Sequence, residues 1–252
     1  NSAPADFNRL PSLFDMIVAD VPCSGEGMFR KDSVAVAEWS ETNVETCWRR
    51  SRGIIADCWA ALKPGGLLVY STCTFNTRED EENVEWICNE LGAEVLPLAV
   101  RPEWGITGNL LAAREDTTSI GEEGRKDFPV SRFLPGRTRG EGFFLAVLRK
   151  NAALEEGSMD SKPSRKRNRT IQKPAQVPFV CKDWMKDSLS FDLLVEEGCV
   201  KAMDKRFVET LSMFRHQVRV LHAGVTVAEL KGRDVVPTQS LALSTALARG
   251  SF

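Results

Sequence analysis

Apolar residues cluster early in this chain into two short runs, residues 14–19 and 67–70, each ending in Pro, Gly or Ser turn chemistry. Continuous apolar runs of that length, closed by turn residues, predict two strands of a parallel sheet buried on both faces. Between them, over residues 32–62, Val34, Val36, Trp39, Val44, Trp48, Ile55, Trp59 and Leu62 are interspersed with polar residues. That spacing predicts two helices with a break near Ser40, Gly53 being the only weak point. Lys63-Pro64-Gly65-Gly66 stops the second helix and turns the chain into the next strand. Asn76 or Thr77 caps a further helix ending near Leu91-Gly92. Its first turns hold Glu79, Asp80, Glu81 and Glu82, read as a solvent-facing start where the macrodipole favours anions. Residues 93–100 and 142–148 read as two more strands, so four strands and their helices are expected.

Residues 103–126 are polar and Gly-containing, a long loop of the kind that is more often functional than idle. Over residues 154–173 the composition shifts to Ser, Pro and basic side chains (Lys162, Arg165, Lys166, Arg167, Arg169, Lys173), which marks a flexible linker that either touches an anionic partner or serves as a tether. Beyond it, residues 191–194 and 199–203 suggest a hairpin, 206–214 a helix, 218–230 a strand pair around Ala223-Gly224, and 239–248 a helix. The expected organisation is an α/β domain over residues 1–150, a basic linker over 151–173 and an accessory α+β domain over 174–252.

Composition narrows this picture. With 252 residues, 42% of them hydrophobic, the chain can bury one substantial core and a smaller one. A formal charge of −2 excludes a globally cationic surface, so any nucleic-acid affinity must come from local patches. Seven scattered cysteines without C-x-x-C spacing fit reduced thiols in a cytoplasmic protein better than a disulfide framework. No run approaches the roughly 20 apolar residues of a membrane span, and no signal-peptide pattern is present. His216 and His222 lie far in sequence from the cysteines of interest, which argues against a zinc site.

The chemistry concentrates at the ends of the two apolar runs. Asp20-Val21-Pro22-Cys23-Ser24-Gly25-Glu26-Gly27 follows the first, and Tyr70-Ser71-Thr72-Cys73-Thr74 closes the second. Ligands of open α/β sheets bind at the carboxyl ends of strands. Two thiols there, one beside an acid and a proline, suggest a nucleophilic cysteine with a second assisting. The first block extends through Met28-Phe29-Arg30-Lys31-Asp32, the second through Phe75 to Glu79-Asp80-Glu81-Glu82-Asn83, and a third runs Arg132-Phe133-Leu134-Pro135-Gly136-Arg137-Thr138-Arg139-Gly140-Glu141-Gly142-Phe143-Phe144. In this order, over residues 14–150, the blocks resemble the Nol/Nop/Sun family of RNA cytosine-C5 methyltransferases, the bacterial small-subunit rRNA members in particular; tRNA-modifying members share the same motifs.

The resemblance implies the carboxyl-terminal half of a Rossmann-like class I methyltransferase sheet, followed by the small α+β domain, which with the long loop is expected to serve RNA recognition. The chain starts at Asn1, reaches its first strand almost at once and contains no G-x-G-x-x-G or P-loop pattern, so it reads as a fragment lacking the first three strands and inactive alone. The implied reaction is S-adenosyl-L-methionine-dependent methylation of carbon 5 of a cytidine in RNA, ribosomal RNA for the parent enzyme, without metal or membrane. By resemblance, Cys73 is the nucleophile, Cys23 helps release the methylated base, and Asp20 lies against the cofactor. Asp20 can also hold or supply a proton at cytosine N3. Pro22 makes a rigid turn whose carbonyl can accept from the cytosine amine. Ser24 and Gly25 belong to a loop that can approach a flipped-out nucleotide, with Arg30 and Lys31 as candidate phosphate contacts. Two rivals stay open: an amino-group methyltransferase, whose Asp/Asn-Pro-Pro-aromatic turn needs no cysteine, and a non-catalytic RNA-binding or assembly module.

Overall fold

In the computed structural model, which describes residues 2–111, 128–152, 177–248 and 250, the first apolar run forms β1 (Phe14–Asp20) and the second the end of β2 (Leu62–Thr72). They pair in parallel, Ile17 opposite Leu68 and Asp20 opposite Ser71, so both carboxyl ends reach one rim of the sheet. Between them the chain makes α1 (Ser33–Glu38) and α2 (Glu41–Trp59). The expected break at Ser40 is the α2 N-cap, whose hydroxyl accepts from the Asn43 N–H at 3.1 Å. After β2 come α3 (Glu81–Leu91), ended by Gly92 at φ 66°, then β3 (Ala93–Leu96), β4 (Ser131–Phe133) and β5 (Phe143–Lys150).

The strand order is β1-β2-β5-β3, with β4 pairing the start of β5. β5 runs antiparallel to β2, β3 and β4, and the alternation of Phe144, Ala146 and Leu148 turns one of its faces into the core. Ile55 of α2, Leu68 and Tyr70 of β2, and Val84 and Ile87 of α3 complete that core.

Several expectations need correction. β1 is not buried on both faces: it pairs only with β2 among the described strands, and Met16 and Val18 are 50% and 69% exposed. β3 stops at Leu96 rather than residue 100, and β4 is an additional strand. The acidic run does not face solvent: Glu79, Asp80 and Glu81 are fully buried, because each carboxylate is bonded inside the protein. Of the expected loop, residues 112–126 lie outside the described residues, as does the basic linker over 154–173.

The chain divides into two units, residues 3–159 and residues 160–252 together with the first two. The second contains α4 (Val180–Asp183), β6 (Phe191–Glu196), β7 (Cys199–Asp204), α5 (Lys205–Gln217), β8 (Val225–Lys231), β9 (Asp234–Pro237) and α6 (Gln239–Ala242). Its sheet is antiparallel throughout, ordered β6-β7-β8-β9 around Val200, Ala202, Val227 and Leu241. The strand pair turns at Gly232, with φ 64°, and not at Ala223-Gly224. The last helix is a single turn: the Thr238 hydroxyl caps it, and it stops at Ala242 instead of reaching residue 248.

Candidate active site

Cys23 follows β1 and Cys73 follows β2, and their Sγ atoms lie 3.0 Å apart. Parallel pairing brings the two strand ends together, and the backbone does the rest. The Cys73 N–H donates to Cys23 Sγ at 3.2 Å, and the Gly27 N–H donates to the Cys73 carbonyl at 2.8 Å. A Cβ on Gly27 would collide with the carbonyl oxygens of Gly142 and Cys73, so only glycine lets the two loops close to this distance.

The two thiols differ in acidity. The hydrogen bond from Cys23 stabilises the Cys73 thiolate and lowers its pKa to about 7, against opposing effects of burial and of the Asp20 charge. The same contact, reinforced by burial, raises the pKa of Cys23. One S–H can thus bridge the two sulfurs, and their contact moves the two acidities in opposite directions.

Asp20 ends β1 with its side chain exposed, and the Ser71 hydroxyl donates to Oδ1 at 3.0 Å. The Pro22 carbonyl accepts from the Ser51 hydroxyl at 2.9 Å, so one of its two lone-pair directions is engaged within the protein. Gly25 adopts φ 78° with open space about its Cα. Lys31 is exposed. Arg30 is exposed too, but Nη2 donates to the Gly140 carbonyl at 3.0 Å and to the Glu141 carboxylate at 3.1 Å, tying the Cys23 loop to the turn before β5.

Ser24 stands apart from the expectation that it contacts RNA. It is buried, and its N–H and hydroxyl donate to the two oxygens of Glu79 at 2.9 and 2.5 Å, leaving it no free donor for a ligand. Glu79 also accepts from Asn76 Nδ2 at 2.6 Å, and burial raises its pKa. This carboxylate clamps the Cys23 loop to the Cys73 loop, a role hidden in sequence by its place in an acidic run. The one local signal is Asn76, whose side-chain oxygen accepts from the Glu79 N–H at 2.9 Å.

Behind the clamp, the buried Arg132 of β4 reaches the Asp80 and Glu81 carboxylates at 2.8 and 2.5 Å and the Phe75 carbonyl at 2.5 Å. Thr72 donates to the other Asp80 oxygen at 2.7 Å. The segment between Cys73 and α3 is thus held from both sides by charge-assisted bonds.

Residues 3–149 match the family model described as 16S rRNA methyltransferase RsmB/F. The chain is 39% identical to ribosomal RNA small subunit methyltransferase F of Klebsiella pneumoniae (strain 342) over 149 residues, 58% of this chain and 28% of that protein. It is 37% identical to the protein of that name from Pectobacterium atrosepticum over 145 residues, 58% of this chain and 27% of that one. It thus spans under a third of the length of these relatives. Among solved structures, NSun6 from Pyrococcus horikoshii with SFG is 28% identical over 58% of this chain and 33% of that one, with a TM-score of 0.43. The family model covers more than half of the chain, in the unit that holds both motif cysteines: the chain belongs to the 16S rRNA methyltransferase RsmB/F family.

Proposed function

We propose that the protein containing this chain methylates carbon 5 of a cytidine in ribosomal RNA, in the cytoplasm, through a covalent adduct on Cys73. The observation that carries the reading is the pair of thiols 3.0 Å apart, with the acidity of Cys73 lowered by its neighbour. Carbon 5 of cytosine is a poor nucleophile until a thiolate adds to carbon 6. The Cys73 sulfur forms a bond to C6, and the electron pair of the C5–C6 double bond shifts toward C5 and the N3 side of the ring. Asp20, on the rim beside Cys73, supplies or holds the N3 proton and so favours that addition. After methylation, a water molecule takes the C5 proton, its electron pair re-forms the C5–C6 double bond as the C6–S bond breaks and the Cys73 thiolate leaves, and the N3 proton returns to Asp20. The Cys23 S–H that hydrogen-bonds this sulfur stabilises it as a leaving group, which accounts for a role in release rather than attack.

Asp20 is the residue of this chain suited to S-adenosyl-L-methionine. Its carboxylate is exposed at the strand end, with one hydrogen bond, from Ser71, among the described residues. It can therefore accept from hydroxyl or amine donors of a nucleoside cofactor. When bound, that cofactor supplies the methyl group.

The test is nucleoside mass spectrometry of RNA treated with the full-length protein. Wild type should produce 5-methylcytidine. Cys73→Ser should produce none, while binding the RNA with nearly unchanged affinity, because a hydroxyl of similar size is a far weaker nucleophile. Methylation at the cytosine amino group, or full activity in Cys73→Ser, would overturn the reading.

A further inference from the structure

A cavity of about 750 Å³ lies beside the basic turn at residues 134–141, lined by Leu98, Val100 and Phe133 together with Trp104, Arg137 and Arg139. Its size falls within the roughly 300–1,000 Å³ of small-ligand sites, and neither motif cysteine nor Asp20 lines it. The walls are joined by backbone bonds. Thr107 and Arg132 exchange N–H to carbonyl bonds of 3.0 and 2.8 Å, which fastens the Trp104 segment to β4. Gly105 adopts φ 67°, and a Cβ there would collide with the Arg137 carbonyl, so the segment is packed directly on the basic turn. The other end of that turn is bonded to Arg30 of the Cys23 loop.

Trp104 is 47% exposed, with the Arg101 guanidinium 5.7 Å from its ring centroid, and Glu103, which also lines the cavity, pairs with Arg101 at 3.9 Å. Arg137 and Arg139 are exposed, and their side chains make no hydrogen bond or ion pair among the described residues. An exposed indole beside two uncommitted guanidinium groups over an apolar lining matches an unpaired nucleotide: the ring stacks on a base while the guanidinium forks take phosphate oxygens. A globally acidic protein needs such a local patch to hold RNA at all.

We propose that this cavity is an RNA subsite that seats an unpaired nucleotide outside the catalytic pocket, with its base on Trp104 and its phosphates on Arg137 and Arg139. The inference rests on the RNA reading of the preceding subsection and adds where a second nucleotide is gripped.

The experiment measures binding of a fluorescein-labelled single-stranded RNA decamer to the full-length protein at several salt concentrations. Trp104→Ala should weaken binding at least about fivefold, from the loss of one base stack, and Trp104→Phe should restore most of it. Arg137→Ala combined with Arg139→Ala should weaken binding and reduce the slope of log K against log salt by about 1.4, the value for two phosphate contacts on a single strand. A free nucleoside monophosphate at the same concentration should not displace the decamer. Wild-type affinity and slope in both sets of variants would overturn the subsite; if Cys73→Ser still abolishes 5-methylcytidine formation, the proposed reaction stands without it. Displacement by the monophosphate would assign the cavity to a small nucleotide instead, and no RNA binding by wild type would overturn both readings.

Discussion

Cys23 and Cys73 acquire opposite acidities from one contact. Because the pKa of Cys73 is lowered to about 7 by the Cys23 hydrogen bond, its thiolate forms as pH rises through neutrality, and alkylation by iodoacetamide should rise with a midpoint near 7. Removing the donor in Cys23→Ala leaves burial and the Asp20 charge, both of which disfavour the thiolate, so the midpoint should move up by at least about one pH unit. Mass spectrometry of the Cys73 peptide reads both. An unchanged midpoint in Cys23→Ala would show that something other than the S–H bond sets the acidity. The two cysteines were legible in the sequence because each follows an apolar run and stands beside turn residues. Ser24 and Glu79 were not, since 55 residues separate a small polar side chain from an acid that reads as solvated. Only parallel pairing of β1 with β2 brings them into contact.

At the level of elements, β4 is the piece that pattern reading missed. Three residues are too few to show alternation, yet the strand carries Arg132 into a site where it meets two buried carboxylates and the Phe75 carbonyl. Removing a partner from such a cluster leaves uncompensated buried charge at a cost of about 3–5 kcal/mol. Arg132→Met should therefore lower the stability of this unit by about that amount, measured by urea denaturation; a loss below about 1 kcal/mol would mean that the carboxylates find other partners or bind protons. The helix break at Ser40 and the stop at Gly92 were readable because capping is local chemistry. The strand pair turns not at Ala223-Gly224, where the glycine has apolar neighbours, but at Gly232 between Lys231 and Arg233, a polar break that is itself a turn signal.

For the molecule as a whole, the parallel β1–β2 pair sets the rim on which the site is built, while β1 exposes Met16 and Val18 along an edge that pairs with no other described strand. Exposed apolar edges favour association. The 252-residue chain should accordingly associate with rising concentration in sedimentation experiments, and Val18→Lys should reduce that association; a monomer at all concentrations would show that the edge is covered. The α/β class followed from the alternation of apolar runs with helical spacing. The exposure of β1 did not, because its apolar run carries no mark of whether a neighbouring strand covers its second edge.

The central claim is that Cys73 bonds to the base and Cys23 serves its release. Incubation of full-length Cys23→Ala with substrate RNA and S-adenosyl-L-methionine tests it most directly, with the products separated on a denaturing gel and the RNA-linked peptide sequenced by mass spectrometry. The account predicts a slow-migrating protein–RNA adduct whose nucleotide is attached to Cys73, because addition proceeds while expulsion is impaired. Normal turnover of Cys23→Ala without an adduct, together with a trapped complex in Cys73→Ser attached through Cys23, would contradict it and reverse the two roles.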